Sequence, residues 1–318
     1  MKTRSVSHLL YAQPINMGGL PVRQAFPTQQ VQQLDPFLLL HHARVKAPQH
    51  TDPRHAGVDP HPHRGFSPVT FVFEGGVHHR DSRGNNGTVY AGGAQWMHAG
   101  RGIIHSERPP HDIHERGSYQ EIIQLWVNSP AKNKFDLPSY YPAHAEDVPE
   151  VKSEDGLSTL RVFTGTLQHV SGKITPVSAV NAATVFVKEN GRFSVALPAH
   201  HNAFLYLLDG AIMLDKYGLV EGHHAVLFKQ DGEGIALEAK RDTRMLLMSG
   251  EPIGEPVVSH GPFVMNTQTE ILEAMRDYQL GKMGVLIEDG KASPPTPLRR
   301  RHNLTPTPLQ RRGELEVC

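Results

Sequence analysis

Cysteine is nearly missing: the single one, Cys318, is the last of 318 residues. No intramolecular disulfide can form, and no cysteine-based zinc cluster can be built. That usage fits a reducing compartment. Net charge is missing as well, since 32 basic and 32 acidic residues balance. No global field draws the chain to nucleic acid or to an acidic surface, and no direct nucleic-acid binding is expected. Long apolar runs are also lacking. The first cluster, Phe37 to Leu40, is far too short for a signal core or a membrane span. A soluble, cytoplasmic protein with no membrane partner is expected.

Turn formers and histidine are plentiful. The 29 glycines and 25 prolines are many for a helical protein and suit short strands joined by turns. The 21 histidines often fall in doublets, as at His41-His42, His78-His79, His200-His201 and His223-His224. A histidine count alone says little, because imidazole serves equally on surfaces and in hydrogen-bonded cores. Position has to decide.

Strand signals recur every eight to twelve residues. Phe66 to Phe73 reads FSPVTFVF, with Pro68 pointing to an edge or bulge near its start. Glu74-Gly75-Gly76 turns the chain, and Gly84-Asn85-Asn86-Gly87 is a hairpin-type turn. Short strands follow at 88–90, 95–98, 103–107 and 122–128. The length suggests two domains, and the polar, proline-bearing stretch 132–156 is the expected linker. A second strand-rich block runs from Leu160 to Ser249. Within it, FLYLLDG at 204–210 resembles TFVFEG at 70–75, so an internal duplication is expected.

One convincing helix spans about Thr267 to Gly281. Thr267 and Glu270 make a capping box, and Ile271, Leu272, Met275 and Tyr278 form an apolar stripe. Beyond it the chain is rich in Pro and Arg without apolar periodicity, which predicts disorder. The expected organisation is an N-terminal domain at 1–131, a linker at 132–156, a C-terminal domain with its helix at 157–285, and a disordered tail at 286–318.

Chemistry concentrates between His61 and Glu107. His61 and His63 stand at spacing i, i+2, and so do His105 and Glu107. On a strand that spacing puts both side chains on one face. Two such pairs facing each other would supply three imidazoles and one carboxylate. An isolated His-x-His is more often a pair of hydrogen-bonded strand residues, whereas two pairs separated by glycine-rich turns make a candidate metal site. Imidazole suits Fe, Ni, Cu and Zn, and the carboxylate draws the set toward harder ions. Four protein ligands leave coordination positions open, as a catalytic or sensing metal needs. Phe66, Trp96, Met97 and Trp126 are candidate walls of the pocket, and Gln124 is a candidate hydrogen-bonding group. Core packing accounts for each of these equally well.

At HPHRGF (61–66), GAQWMHAGRGIIHSE (93–107) and QLWVN (124–128) the sequence resembles the pirin family of the cupin superfamily. Further likeness lies in DPFLLL at 35–40, HRDSRGNNG at 79–87, HNAFLYLLDG at 201–210 and EPVVSHGPFVMNT at 255–267. It covers roughly residues 20 to 285. The resemblance implies an all-β bicupin: two antiparallel β-barrels in tandem with a short C-terminal helix. It implies one divalent metal ion per chain, in the N-terminal barrel only, held by residues matching His61, His63, His105 and Glu107. The implied ion is Fe(2+), with Ni, Cu, Mn, Co or Zn able to take the site. Ser67 departs from the pattern, for it stands where pirins commonly keep a glutamate. His201 belongs to the HNAF motif and is expected to be structural.

Two functions follow from the resemblance. One is a quercetin (flavonol) 2,3-dioxygenase acting on a small aromatic substrate with O2. Glu107 is its candidate catalytic residue, a ligand that also accepts the substrate proton. The alternative is a non-catalytic, iron-dependent regulatory protein whose partner is a transcription factor or a metabolic enzyme.

Overall fold

A computed structural model describes residues 1–49, 52, 56–288 and 291–292. Antiparallel strands dominate it, and their local pattern is the period-2 alternation that one buried face requires. The Arg192–Ala196 strand shows this plainly: Phe193 and Val195 are buried, and Arg192, Ser194 and Ala196 are exposed. Each large apolar side chain buried in this way contributes about 1.5–3 kcal/mol.

In the N-terminal half a seven-stranded sheet runs in the order Ser139–Ala143, Ala94–His98, Phe66–Glu74, Tyr119–Asn128, Phe37–Lys46, Leu20–Phe26, Gln13–Met17. It faces a four-stranded sheet ordered Val58–His63, Ile103–Arg108, Gly76–Asp81, Asn86–Tyr90. The C-terminal half is one nine-stranded sheet around an aliphatic interior that includes Val162, Leu205, Leu207, Val226 and Leu247. The expected barrels are therefore open. The N-terminal strands form two facing sheets without a continuous hydrogen-bonded ring.

The largest core lies between the two halves. Phe71, Trp96 and Leu125 from the seven-stranded sheet meet Phe163, Phe204 and Tyr206 from the nine-stranded one. Both faces of the seven-stranded sheet are thus covered. One faces the candidate site and the other faces the second domain.

Several segments lie elsewhere than the sequence suggested. The first strand, Val6–Tyr11, joins the C-terminal sheet beside His224–Phe228. The expected linker is built into both domains: Ser139–Ala143 pairs with Ala94–His98, and Glu150–Lys152 pairs with Ser158–Thr164. A short helix, His111–Arg116, was not expected; Gly117 ends it at φ 58°. The expected helix is present as Gln268–Gln279, with the full capping box at Thr267 and Glu270. Its buried stripe is Ile271, Ala274 and Tyr278, whereas Leu272 is 59% exposed. The expected disordered tail lies outside the described residues from 293 onward. At its near end Leu286 is buried, and Glu288 pairs with Arg108.

Candidate metal centre

The Ile103–Arg108 strand is central in the four-stranded sheet, and its register builds the site. His105 lies opposite His61 on one side and Asp81 on the other, while Glu107 lies opposite His79. Alternation sends His105 and Glu107 inward and Ile104 and Ser106 outward. The ligand nitrogens of His61, His63 and His105 all lie within 4.8 Å of one another. No other group of three or more His, Cys, Asp or Glu side chains among the described residues is gathered in this way.

The imidazoles are set as ligands would be. The Nδ1 of His61 donates to the Asp59 carbonyl at 2.8 Å, and that of His63 to the Pro262 carbonyl at 3.4 Å. Each bond leaves Nε2 with its lone pair. The Nε2 atoms of His61 and His105 point at each other, 2.9 Å apart. The Nε2 of His63 and the Nδ1 of His105 are buried without a hydrogen-bond partner. The orphaned Nε2 of His63 is costly unless something binds it. Burial pushes all three imidazoles below their ordinary pKa, His63 and His105 well below it, and the neighbouring imidazoles add to that effect on His63 and His105. They are held neutral, the form that binds a metal. Three converging neutral imidazoles, with the Nε2 of His63 unpaired, fit a divalent transition ion.

Glu107 does not share the imidazoles' common point. Its carboxylate is held by a row of three polar residues on the facing sheet, where Gln95, Thr70 and Gln124 are cross-strand neighbours. Oε1 accepts from Thr70 Oγ1 at 2.8 Å and from Gln95 Nε2 at 2.6 Å. Oε2 accepts from Gln124 Nε2 at 2.6 Å. A carboxylate offers about four lone-pair positions, so about one is left, on the Oε2 side. Gln124 is itself oriented, accepting from Trp126 Nε1 at 3.3 Å.

The other expected pocket residues divide between two faces. Phe66 and Trp126 pack together, ring centroids 4.3 Å apart, and His63 lies 5.0 Å from Phe66 and 5.4 Å from Trp126. They line the site. Met97 shares their side of the sheet, packed with Ala99, Ile103 and Tyr140. Trp96 does not line the pocket. It points the other way, into the core between the domains, because it alternates with Gln95 and Met97. Ser67 lies on that away-facing side too, with its hydroxyl 3.4 Å from His98 Nδ1. The missing glutamate at this position therefore leaves the imidazoles' surroundings unchanged. His201 bonds Ser249 Oγ at 3.3 Å, and burial beside His200 pushes its pKa down to about 4.

Sequence reasoning missed a second layer. His79 is fully buried, its Nε2 3.0 Å from Asp81 Oδ2 and its ring stacked on Tyr140 at 4.1 Å. Burial works against the Asp81 charge, but hydrogen bonds from His79, Asn85 and the Arg83 amide outweigh it and hold the carboxyl below its usual range. Burial, with the charges of Glu107 and Asp81, raises the Tyr140 phenol, so it stays protonated and donates to Gln95 Oε1 at 3.0 Å. The available signal was the presence of Thr70 and Gln95 as polar residues inside strongly apolar strands.

The family model for pirin matches residues 19–127, and that for the pirin C-terminal cupin domain matches 182–284. The chain belongs to the pirin family. This pirin is 35% identical to Pirin-like protein 2 of Arabidopsis thaliana over 274 residues, covering 84% of this chain and 81% of the relative. It is similar to the crystal structure of a quercetin 2,3-dioxygenase from Acinetobacter baumannii, with TM-score 0.83 and 33% identity, covering 89% of this chain and 99% of that one. A nickel(II) complex of the bacterial pirin YhhW from Escherichia coli shares the fold at 20% identity and TM-score 0.61, covering 77% of this chain and 99% of that one. Among the described residues no helix is long and apolar enough to cross a membrane.

Proposed function

We propose that this pirin is a metal-dependent dioxygenase of flavonol-like substrates, with quercetin 2,3-dioxygenase as the model activity. The observation that carries the reading is the convergence of three neutral imidazoles beside a fixed carboxylate and an aromatic wall. Its likeness to the Acinetobacter baumannii quercetin 2,3-dioxygenase along nearly all of that chain supports it. In this reading His61, His63 and His105 hold one divalent ion, Fe(2+) in the cell, with the Glu107 carboxylate beside it. A bound ion of this kind supplies a Lewis acid and, when redox-active, electrons for oxygen chemistry.

The rest of the task falls to the chain. Phe66 and Trp126 offer a flat apolar wall to an aromatic ring and exclude bulk water. Trp126 and His61 are only partly buried, whereas Phe66, His63 and His105 lie deep, so substrate enters from the Trp126 and His61 side. Glu107 takes the proton of the substrate hydroxyl on the oxygen lobe that Thr70, Gln95 and Gln124 leave open. Those three donors keep the carboxylate in place during the transfer, which lowers reorganisation.

The test uses iron-loaded protein and follows oxygen uptake together with flavonol absorbance. Wild type is expected to consume both. Glu107→Gln keeps shape but loses charge and basicity, so at matched metal content it is expected to lose turnover more than substrate binding. Equal rates in the two proteins reject the proton-acceptor role. No uptake by fully loaded wild type across several flavonols rejects the dioxygenase reading.

A further inference from the structure

The C-terminal segment returns to the first domain and lies against the outer side of the two strands that carry the imidazoles. On the His105 strand the three outward residues all meet it. Ile104 packs with Phe263, Met265 and Met283. Ser106 Oγ donates to Glu288 at 2.6 Å, and Arg108 pairs with the same carboxylate at 2.9 Å. At the end of the His61–His63 strand the contact is backbone-close. The Val264 amide donates to the Arg64 carbonyl at 3.0 Å, and His63 Nδ1 donates to the Pro262 carbonyl. A Cβ on Gly65, whose φ is +85°, would sit 1.9 Å from the Val264 oxygen. A Cβ on Gly102 would meet Met283 at 2.5 Å.

Charged groups lock the arrangement. Arg64 reaches Asp277 of the helix at 2.9 Å while its Nε holds the Arg101 carbonyl at 2.6 Å. The buried Lys134 ammonium donates at once to Gly65 O, Asn128 Oδ1 and Val264 O, at 2.6, 2.7 and 3.1 Å.

We propose that residues 258–288 act as a clasp that positions His63 and so sets the affinity of the site for its metal ion. This rests on the metal reading of the three imidazoles and not on the dioxygenase reading. The Pro262 carbonyl fixes which nitrogen of His63 carries the proton, leaving Nε2 to the ion. With the clasp loosened, the His63 ring loses that partner and its neighbour Gly65 loses its backing, so the ligand must be ordered at the moment of binding. Linkage makes the effect mutual: whatever factor docking adds to metal affinity, the metal adds to docking.

The experiment uses the full chain stripped of metal, with Ni(2+) as probe, titrated by calorimetry. A second measurement is hydrogen–deuterium exchange across 258–265 with and without Ni(2+). In wild type, Ni(2+) is expected to slow exchange in that segment. Replacing both anchors, Asp277→Asn with Glu288→Gln, is expected to weaken Ni(2+) binding about tenfold, the scale on which partners of metal ligands act. Glu221→Gln, which breaks the exposed pair with Arg241 in the other domain, is expected to stay within about twofold, as surface pairs contribute little. The proposal is overturned if the double variant exchanges faster at 258–265 yet binds Ni(2+) as wild type does, or if Ni(2+) leaves wild-type exchange there unchanged. The wild-type exchange result stands even if the double variant fails to fold. A wild type that takes up no Ni(2+) overturns the metal reading, and this inference with it.

Discussion

Glu121→Gln tests what joins the two domains. Glu121 is almost fully buried on the outer face of the seven-stranded sheet. Arg244 of the second domain donates to it from Nη1 at 2.6 Å, and His42 Nε2 lies 3.3 Å away. Arg244 also grips Asp209, and His42 Nδ1 is 3.0 Å from the Tyr206 hydroxyl, so the cluster crosses the interface twice. Burial alone would raise the Glu121 pKa, but the bonds from His42 and Arg244 outweigh it and bring it down from 4.5 to about 2. At about 1.4 kcal/mol per pH unit, that shift contributes about 3 kcal/mol of stability. The pKa is depressed on folding, so the contribution is complete above pH 4.5 and is lost as pH falls toward 2. At pH 3 about 1.4 kcal/mol of it remains. Glutamine keeps the shape and loses the charge. Urea unfolding of both proteins at pH 7, 5 and 3 is expected to give a stability gap of about 3 kcal/mol at the first two and roughly half that at pH 3. A gap that stays constant from pH 7 to 3, or stays below about 1 kcal/mol at pH 7, would refute the assignment of this carboxylate as the charged link between the domains.

Three further outcomes are expected. His63→Ala should strongly reduce bound metal and His201→Ala should not, as read by metal analysis of protein purified without chelators. Metal uptake should survive mild acid: His63 and His105 titrate well below 6.5, so the midpoint of Ni(2+) binding against pH should fall below that value, and a midpoint at or above it counts against the buried, neutral ligand set. Gly65→Ala combines a left-handed backbone with a collision against the Val264 carbonyl, so it should cost about 3 kcal/mol or more in chemical denaturation.

The parts of this pirin that were legible in its sequence are those governed by local periodicity. His61 and His63 share a face because strands repeat every two residues, whatever surrounds them. The Thr267 capping box closes within one helical turn, and the turn at Gly84 depends on its own residues. The Arg192–Ala196 strand is legible in the same way, since its inward positions are apolar and its outward ones are exposed.

Tertiary structure decided which side of a face meets what. In the Ala94–His98 strand all five residues are buried, because one face of the sheet covers the site and the other covers the second domain. Hydrophobicity therefore could not tell that Met97 turns to the site and Trp96 away from it. The same double burial hid Thr70 and Gln95, which take their meaning only from the Glu107 carboxylate brought across from the facing sheet. His79 became part of the centre through its register with Glu107, and Pro262 through a contact made 199 residues away from His63. Alternation assigns side chains to faces within a strand, but the partners across a sheet are set by the energy of the whole packed molecule. A carboxylate with three donors exists only after four distant strands have met.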